Sequence, residues 1–239
     1  MGRFGIPEDE PIENKMVSSA IESAQGKIEG FNFDARRHVL EYDDVMNKQR
    51  AAVYNRRRRI LSASSNELDE EASNLVDEVS KKIITAHTVG GSDEWNRKEI
   101  LENLISLGGG TATHIHKEKD GSEIEHKGDS NPELEEKINS AGNQEDLIDI
   151  SKHYLEAAFL KRKAAVESFG EALRFIMLQA IDVLWMEHLE AMEYMRSSVR
   201  LRAYGQKDPL VEYKNEGARM FKELENHINA YIANLIFRI

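Results

Sequence analysis

The chain has 239 residues, 40 % of them hydrophobic and 31 % charged, with a net charge of −11 and no cysteine. That length holds one or two domains; the acidic balance argues against wrapping nucleic acid, which needs clustered Lys and Arg, and the lack of cysteine excludes a disulfide framework or a thiolate metal site. Only four prolines leave room for long helices, no apolar run approaches the ~20 residues of a membrane span, and the polar, broken start from Met1 to Pro11 is no secretory signal.

Helical patterning begins near Ile12–Glu13. Gly26 and Gly30 weaken it, and Asn32–Asp34 offers a cap or a kink. From Phe33 to about Leu61 the pattern strengthens: Val39, Tyr42, Met46, Val53 and Ile60 recur at steps of 3, 4, 7 and 7, a heptad-like seam. A helix of about 28 residues spans roughly 42 Å, too long for one compact core, so a strut is expected. A second helix starts after Ser65 or Asn66 as cap, with Leu68, Leu75, Val79 and Ile83 on one face. A short third helix follows Ser92 as cap and carries Trp95, Ile100, Leu101, Leu104 and Ile105, ending at Gly108–Gly110.

Residues 111–132 are poor in apolar side chains and rich in turn formers. A flexible loop and a small hairpin turning at Asp120–Gly121 both fit. Helical pattern resumes at Pro132, opens again at Asn143–Gln144–Glu145, and runs with few breakers to about Leu201. Leu173, Met177, Ala180, Leu184, Ala191 and Met195 hold helical steps along it. Gly205 then breaks the helix, and Asp208–Pro209 is a cap followed by a first-position proline. The last helix carries Tyr213, Met220, Leu224, Ile228, Tyr231 and Leu235. Two long helices joined by a short loop (202–208) should lie antiparallel. The expected fold is all-α: a long strut helix, an antiparallel two-helix hairpin and a small, mostly helical part between them.

No catalytic signature emerges. The sequence has no GxxxxGK[ST] phosphate loop, no GxSxG elbow and no HExxH, so the chain alone is not expected to be an enzyme. His188, beside Glu187, reads as a partly buried histidine bonded to a nearby carboxylate. His114, His116 and His126 could gather if the hairpin forms, yet no acid or cysteine completes a specific metal site. Arg56–Arg59 reads as a cationic helix end, with partner, lipid or nucleic-acid contact as alternatives. At the tip of the two-helix hairpin Arg196, Arg200, Arg202, Tyr204, Gln206 and Lys207 place cations and one aromatic on a loop with no core to fill, which reads as a contact surface.

Asn32 to Tyr54, NFDARRHVLEYDDVMNKQRAAVY, closely resembles the start of the long scaffold helix of the SecA preprotein-translocation ATPases. Leu184 to Phe221, LWMEHLEAMEYMRSSVRLRAYGQKDPLVEYKNEGARMF, resembles the two-helix finger of the same family, and Gly91 to Trp95, GSDEW, fits the helical wing between them. The resemblance is weakest from Thr111 to Ser140, which looks like an insertion.

The resemblance implies a fragment in three parts. Residues 1–62 would be the junction with a second nucleotide-binding domain plus the scaffold helix, 63–150 the wing, and 151–239 the scaffold return and finger. It implies a parent that couples ATP hydrolysis to pushing unfolded preproteins through the SecYEG channel. ATP and Mg would belong to motor domains outside this chain, so no cofactor or metal is expected in it. Implied partners are SecYEG, unfolded preprotein, the missing nucleotide-binding and crosslinking domains, and a second copy in a possible homodimer, with no nucleic acid. The implied location is cytoplasmic and peripheral at the inner face of the plasma membrane. Arg36, Arg37, Glu41, Asp43, Asp44 and Arg50 would face the missing domains. Arg200, Arg202, Tyr204, Gln206 and Lys207 would meet channel and polypeptide, with Tyr204 as the bulky tip residue. A free-standing helical scaffold or coiled-coil adaptor without a transport role stays open as the alternative.

Overall fold

The computed structural model describes the backbone of residues 15–111, 114–117, 123–126, 128–202 and 208–239, and the side chains of 15–111, 128–199 and 208–239. Among them the fold is all-α apart from one two-stranded hairpin. Helix α1 (Lys15–Ser62) has 48 residues, about 72 Å at 1.5 Å per residue. It runs on through Gly26, Gly30 and Asn32–Asp34, where a cap or kink was open. Nothing lies within 4 Å of where a Cβ would stand on either glycine, so neither serves a close contact. Each costs about 1 kcal/mol against alanine, too little to end a helix whose neighbours are good formers and include no proline.

Residues 15–40 of α1 are exposed on every side, and the helix joins the body only from Glu41 onward. The seam shows this division. Tyr42, Val53 and Ile60 are buried and Met46 is partly buried, whereas Val39 is exposed. Val39 lies one turn beyond the point where the finger stops covering the helix.

Helix α2 (Ser65–His87) is capped by Ser64, one residue before the expected cap. The box decides the position: Ser64 Oγ accepts from Glu67 N (3.4 Å), and Glu67 Oε2 accepts from Ser64 N (2.7 Å), a reciprocal arrangement that needs the acid three residues after the cap. The Ser64 N–H and, as a second donor, the Ser64 hydroxyl (2.8 Å) hold the Glu67 carboxyl below its usual range. Ser92 does not cap α3. It starts a short 3-10 turn, Ser92–Glu94, and Asn96 caps α3 (Arg97–Leu107) by accepting from Glu99 N. Gly109 ends this segment at φ +90°, and a Cβ there would stand 2.9 Å from the Phe237 carbonyl. Glycine is therefore required on both counts.

Strands β1 (His114–Lys117) and β2 (Glu123–His126) pair antiparallel with His114 opposite His126, so the hairpin alternative holds. Helix α4 (Pro132–Ser140) is capped by Asn131, and α5 (Gln144–Ala165) by Asn143 as expected. The expected continuous run to Leu201 is in fact two helices. Val166 turns extended (φ −119°, ψ 114°), and α6 (Phe169–Arg202) starts anew. The corner is held by Phe159 and Phe169, whose rings meet edge-on at 5.4 Å. Asp208 caps α7 (Pro209–Ile236), accepting from Leu210 N at 2.8 Å, with Pro209 in the first turn.

One large core takes residues from all seven helices: Val53 and Ile60 of α1, Leu68 and Val76 of α2, Leu104 of α3, Ile138 of α4, Leu155 of α5, Met177 of α6 and Ile232 of α7, among others. A second, separate cluster lies toward the end of the finger: Tyr42, Met192, Met195, Val199, Leu210 and Tyr213.

Candidate functional site: a two-helix lever on a projecting strut

Helices α6 and α7 pack against each other, where the sequence leads one to expect a two-helix finger, and the pair is tied to α1 by a ladder of polar contacts. Arg174 caps the end of α1, donating to the carbonyls of Leu61 (3.3 Å) and Ala63 (2.6 Å); a cation there also suits the helix dipole. Arg57 forks onto Asp182 (Nε–Oδ1 2.9 Å, Nη2–Oδ2 3.2 Å). Farther out, His188 bonds Gln49 at 2.9 Å and Arg196 approaches Asp43 at 3.8 Å. Residue numbers rise along α6 as they fall along α1, so the two helices run antiparallel over this stretch. Arg56 links α1 to α7 through Asn229 (2.8 Å), and Asn229 donates on to Glu78 of α2 (3.2 Å).

This placement changes the reading of Arg56–Arg59. The run is not simply a solvated helix end: Arg56 and Arg57 are spent on intramolecular bonds, and Arg58 and Arg59 are exposed. Burial lowers the Arg56 guanidinium's pKa, against the pull of Glu71 and Glu225, and the Asp182 bond raises that of Arg57. Arg58 lines an open surface groove with Tyr54, Leu61 and Met186.

His188 departs from the expected carboxylate pairing. Glu187 and Glu190 are exposed, and the partner is the Gln49 amide, which also donates to the Gly217 carbonyl at 2.9 Å. Gln49 and His188 are each 6 % exposed. Trp185 stacks on the imidazole at 5.6 Å and Phe221 meets its ring at 6.0 Å. Burial lowers the His188 pKa. The unfolded chain therefore takes up this proton more readily than the folded one. Stability contributed by neutral His188 is full above about pH 6.5 and is lost as pH falls below it. Urea midpoints should fall between pH 7.5 and pH 5 by more in the native chain than in His188→Leu; equal falls would acquit the histidine.

Sequence reasoning passed over Gln49 and Gly217. The signals were there: Gln49 stands one heptad after Tyr42 in the apolar seam, and a mid-helix glycine asks for a packing reason.

The expected inter-domain residues lie on the first half of α1 and just beyond it. Arg36, Arg37, Asp44 and Arg50 are exposed, and Glu41 and Asp43 half-buried. Arg37 pairs with Glu41 (3.4 Å), Lys48 with Asp44 (2.8 Å) and Arg196 with Asp43. At the finger's end Arg200 and Arg202 belong to the last turn of α6. Tyr204, Gln206 and Lys207 lie outside the described residues, as do the side chains of Arg200, Arg202, His114, His116 and His126.

The family model described as the SecA wing and scaffold domain matches residues 11–239. This chain belongs to the SecA wing and scaffold family. It is 37 % identical over its whole length to a protein translocase subunit SecA of Pelotomaculum thermopropionicum, of which it covers 25 %. Identity is 36 % over 99 % of the chain, and 24 % of the relative, to a protein translocase subunit SecA 1 of Clostridioides difficile. It is 37 % over 95 % of the chain, and 25 % of the relative, to a protein translocase subunit SecA of Syntrophus aciditrophicus. The chain thus spans about a quarter of the length of the curated relatives it matches.

Proposed function

We propose that this chain is the transmission and contact portion of a SecA protein translocase. The observation that carries the reading is the uncovered half of α1. Val17, Ile21, Ile28, Phe31 and Val39 are exposed, Phe31 by 74 %, yet they recur at helical steps on the side that Tyr42, Val53 and Ile60 bury farther along. An apolar stripe continuous with a core-facing one marks a surface built to be covered. In this reading the missing nucleotide-binding and crosslinking domains cover it, with Arg36 and Arg50 at its margin. Conformational change driven by ATP in those domains then passes along α1 to the finger through the Arg57–Asp182, Gln49–His188 and Arg174 contacts.

Two paired helices make a stiff lever. A tip that must push many different unfolded sequences should use bulk and backbone contact, which is the role assigned to Tyr204, with Arg200, Arg202, Gln206 and Lys207 facing the SecYEG channel mouth. Membrane contact runs through that partner: among the described residues no helix is long and apolar enough to cross a membrane. Tyr204→Ala in the full-length parent tests the reading. If Tyr204 supplies about 1.4 kcal/mol at the limiting step, preprotein transport falls by about tenfold while ATP binding is unchanged. Full transport with normal coupling to ATP hydrolysis would sink the grip assignment.

A further inference from the structure

Four polar side chains are buried among the described residues: Gln49, Ser80, Ser151 and His188. The serines bond within their own helices, Ser80 to the Asp77 carbonyl (3.1 Å) and Ser151 to that of Ile148 (2.7 Å). Gln49 and His188 instead bond across helices, and with the Gly217 carbonyl they join α1, α6 and α7 in one layer. The layer stands at a boundary. Among the buried residues of each helix it lies between the tip-side cluster and the large core: Tyr42 and Val53 flank Gln49, Met192 and Trp185 flank His188, and Tyr213 and Leu224 flank Gly217, with partly buried Met46 packed against both clusters.

Apolar contact is non-directional, and the tip-side cluster includes two adaptable methionines, Met192 and Met195. Beyond Tyr42 the apolar stripe of α1 continues uncovered through Val39 and Phe31. Hydrophobic burial alone therefore offers the finger further seats along α1. What distinguishes the seat it takes is the polar layer. A shift in either direction would leave Gln49 and His188 buried without partners, the expensive outcome for polar groups. Gly217 adds a close fit: a Cβ there would stand 3.1 Å from Met192 Cε of α6, which would have to give, and 3.4 Å from Val45 Cγ1, in ordinary contact with α1.

We propose that Gln49, His188 and Gly217 form a register lock that fixes the axial position of the finger on the scaffold helix. These are positioning residues, and the inference rests on the packing, independently of what the finger touches. A lever that slips on its mount loses stroke, so a layer that sacrifices apolar burial for register suits any function in which α1 drives α6–α7. Single buried polar residues that set helix register are the precedent in physical terms.

The chain has no cysteine, so spin labels can be placed at Ala51→Cys on α1 and Ser197→Cys on α6 without removing native thiols. The otherwise native chain should give one narrow inter-label distance. The Gln49→Leu/His188→Leu pair should unfold at the same temperature or higher, because a well-packed apolar pair replaces a buried polar one. Its distance distribution should nonetheless broaden or gain a population displaced by about one helical turn, ~5.4 Å. His188→Gln, which keeps a donor toward Gln49, should stay narrow. The proposal is overturned if the leucine pair is as narrow as the native chain, or if His188→Gln is as broad as the leucine pair. Failure of the leucine pair to fold, read by circular dichroism, also overturns it, since the layer would then serve stability.

Discussion

Tyr213→Ala frees the outer half of the finger from the scaffold helix, with a cost of about 3–5 kcal/mol for the aromatic truncation. Tyr213 is 1 % exposed, and its ring lies 4.8 Å from that of Tyr42. Arg196 stands 5.9 Å over the Tyr42 ring, adding a cation–π contact. Burial raises the pKa of the Tyr213 phenol, so the ring stays neutral. Among the buried side chains the polar layer at Gln49 stands between this six-residue cluster and the large core, and partly buried Met46 packs against both.

The loss should therefore be local. Hydrogen exchange should show the amides of 192–199 and 210–213 losing protection by several orders of magnitude, with those of α2 to α5 keeping theirs. Uniform loss of protection through all seven helices would contradict the separation of the two clusters. Tyr42→Ala should reproduce the pattern, since it removes the other half of the same ring pair.

Legibility in the sequence followed the range of the interactions. The capped starts at Asn143 and Asp208 were readable because a cap is settled by residues two or three apart. The α1 seam was readable because heptad spacing survives whatever covers it. Ser64 and Asn96 were missed by one and four residues because several cap formers stand together at each site, and the winner is the one with a correctly placed acceptor or acid. The break at Val166 was missed although Ser168 and Gly170 stand beside it, because one glycine is tolerated inside a helical pattern; the packing of Phe159 on Phe169 holds the corner, and that contact exists only after folding.

The site was legible in outline for the same reason. The finger's two helices and its cap are local facts, whereas its attachment is not. Arg57–Asp182 joins residues 125 apart, Gln49–His188 139 apart and Arg56–Asn229 173 apart. No periodicity along one segment reports such pairs, so Arg56 and Arg57 looked like a surface run and Gln49 was passed over. The recognisable motifs fall on α1 and on α6–α7 without saying which side chains fasten those helices together.

Leu104→Ala should destabilise the whole chain by about 2–5 kcal/mol, and do so in a single transition. Leu104 is fully buried in α3, far in sequence from the finger, but its core is continuous through α2 into α6 and α7. Helix α2 is the bridge: its Leu68, Val76 and Ile84 all belong to that core, and Lys82 and Glu78 reach Asn226 and Asn229 of α7. A wing with a core of its own would unfold apart and leave the finger's base intact. A shared core predicts instead that near-ultraviolet signal from Trp185 on α6 and far-ultraviolet helicity fall together, at a midpoint lowered equally for both. The near-ultraviolet measurement should be made in a Trp95→Phe background so that it reads Trp185 alone. Two separated transitions, with the Trp185 signal surviving the first, would show that the wing and the finger's base are independent bodies. A single transition would mean that strain in the wing changes the seating of the finger, because the same side chains fill the space between them.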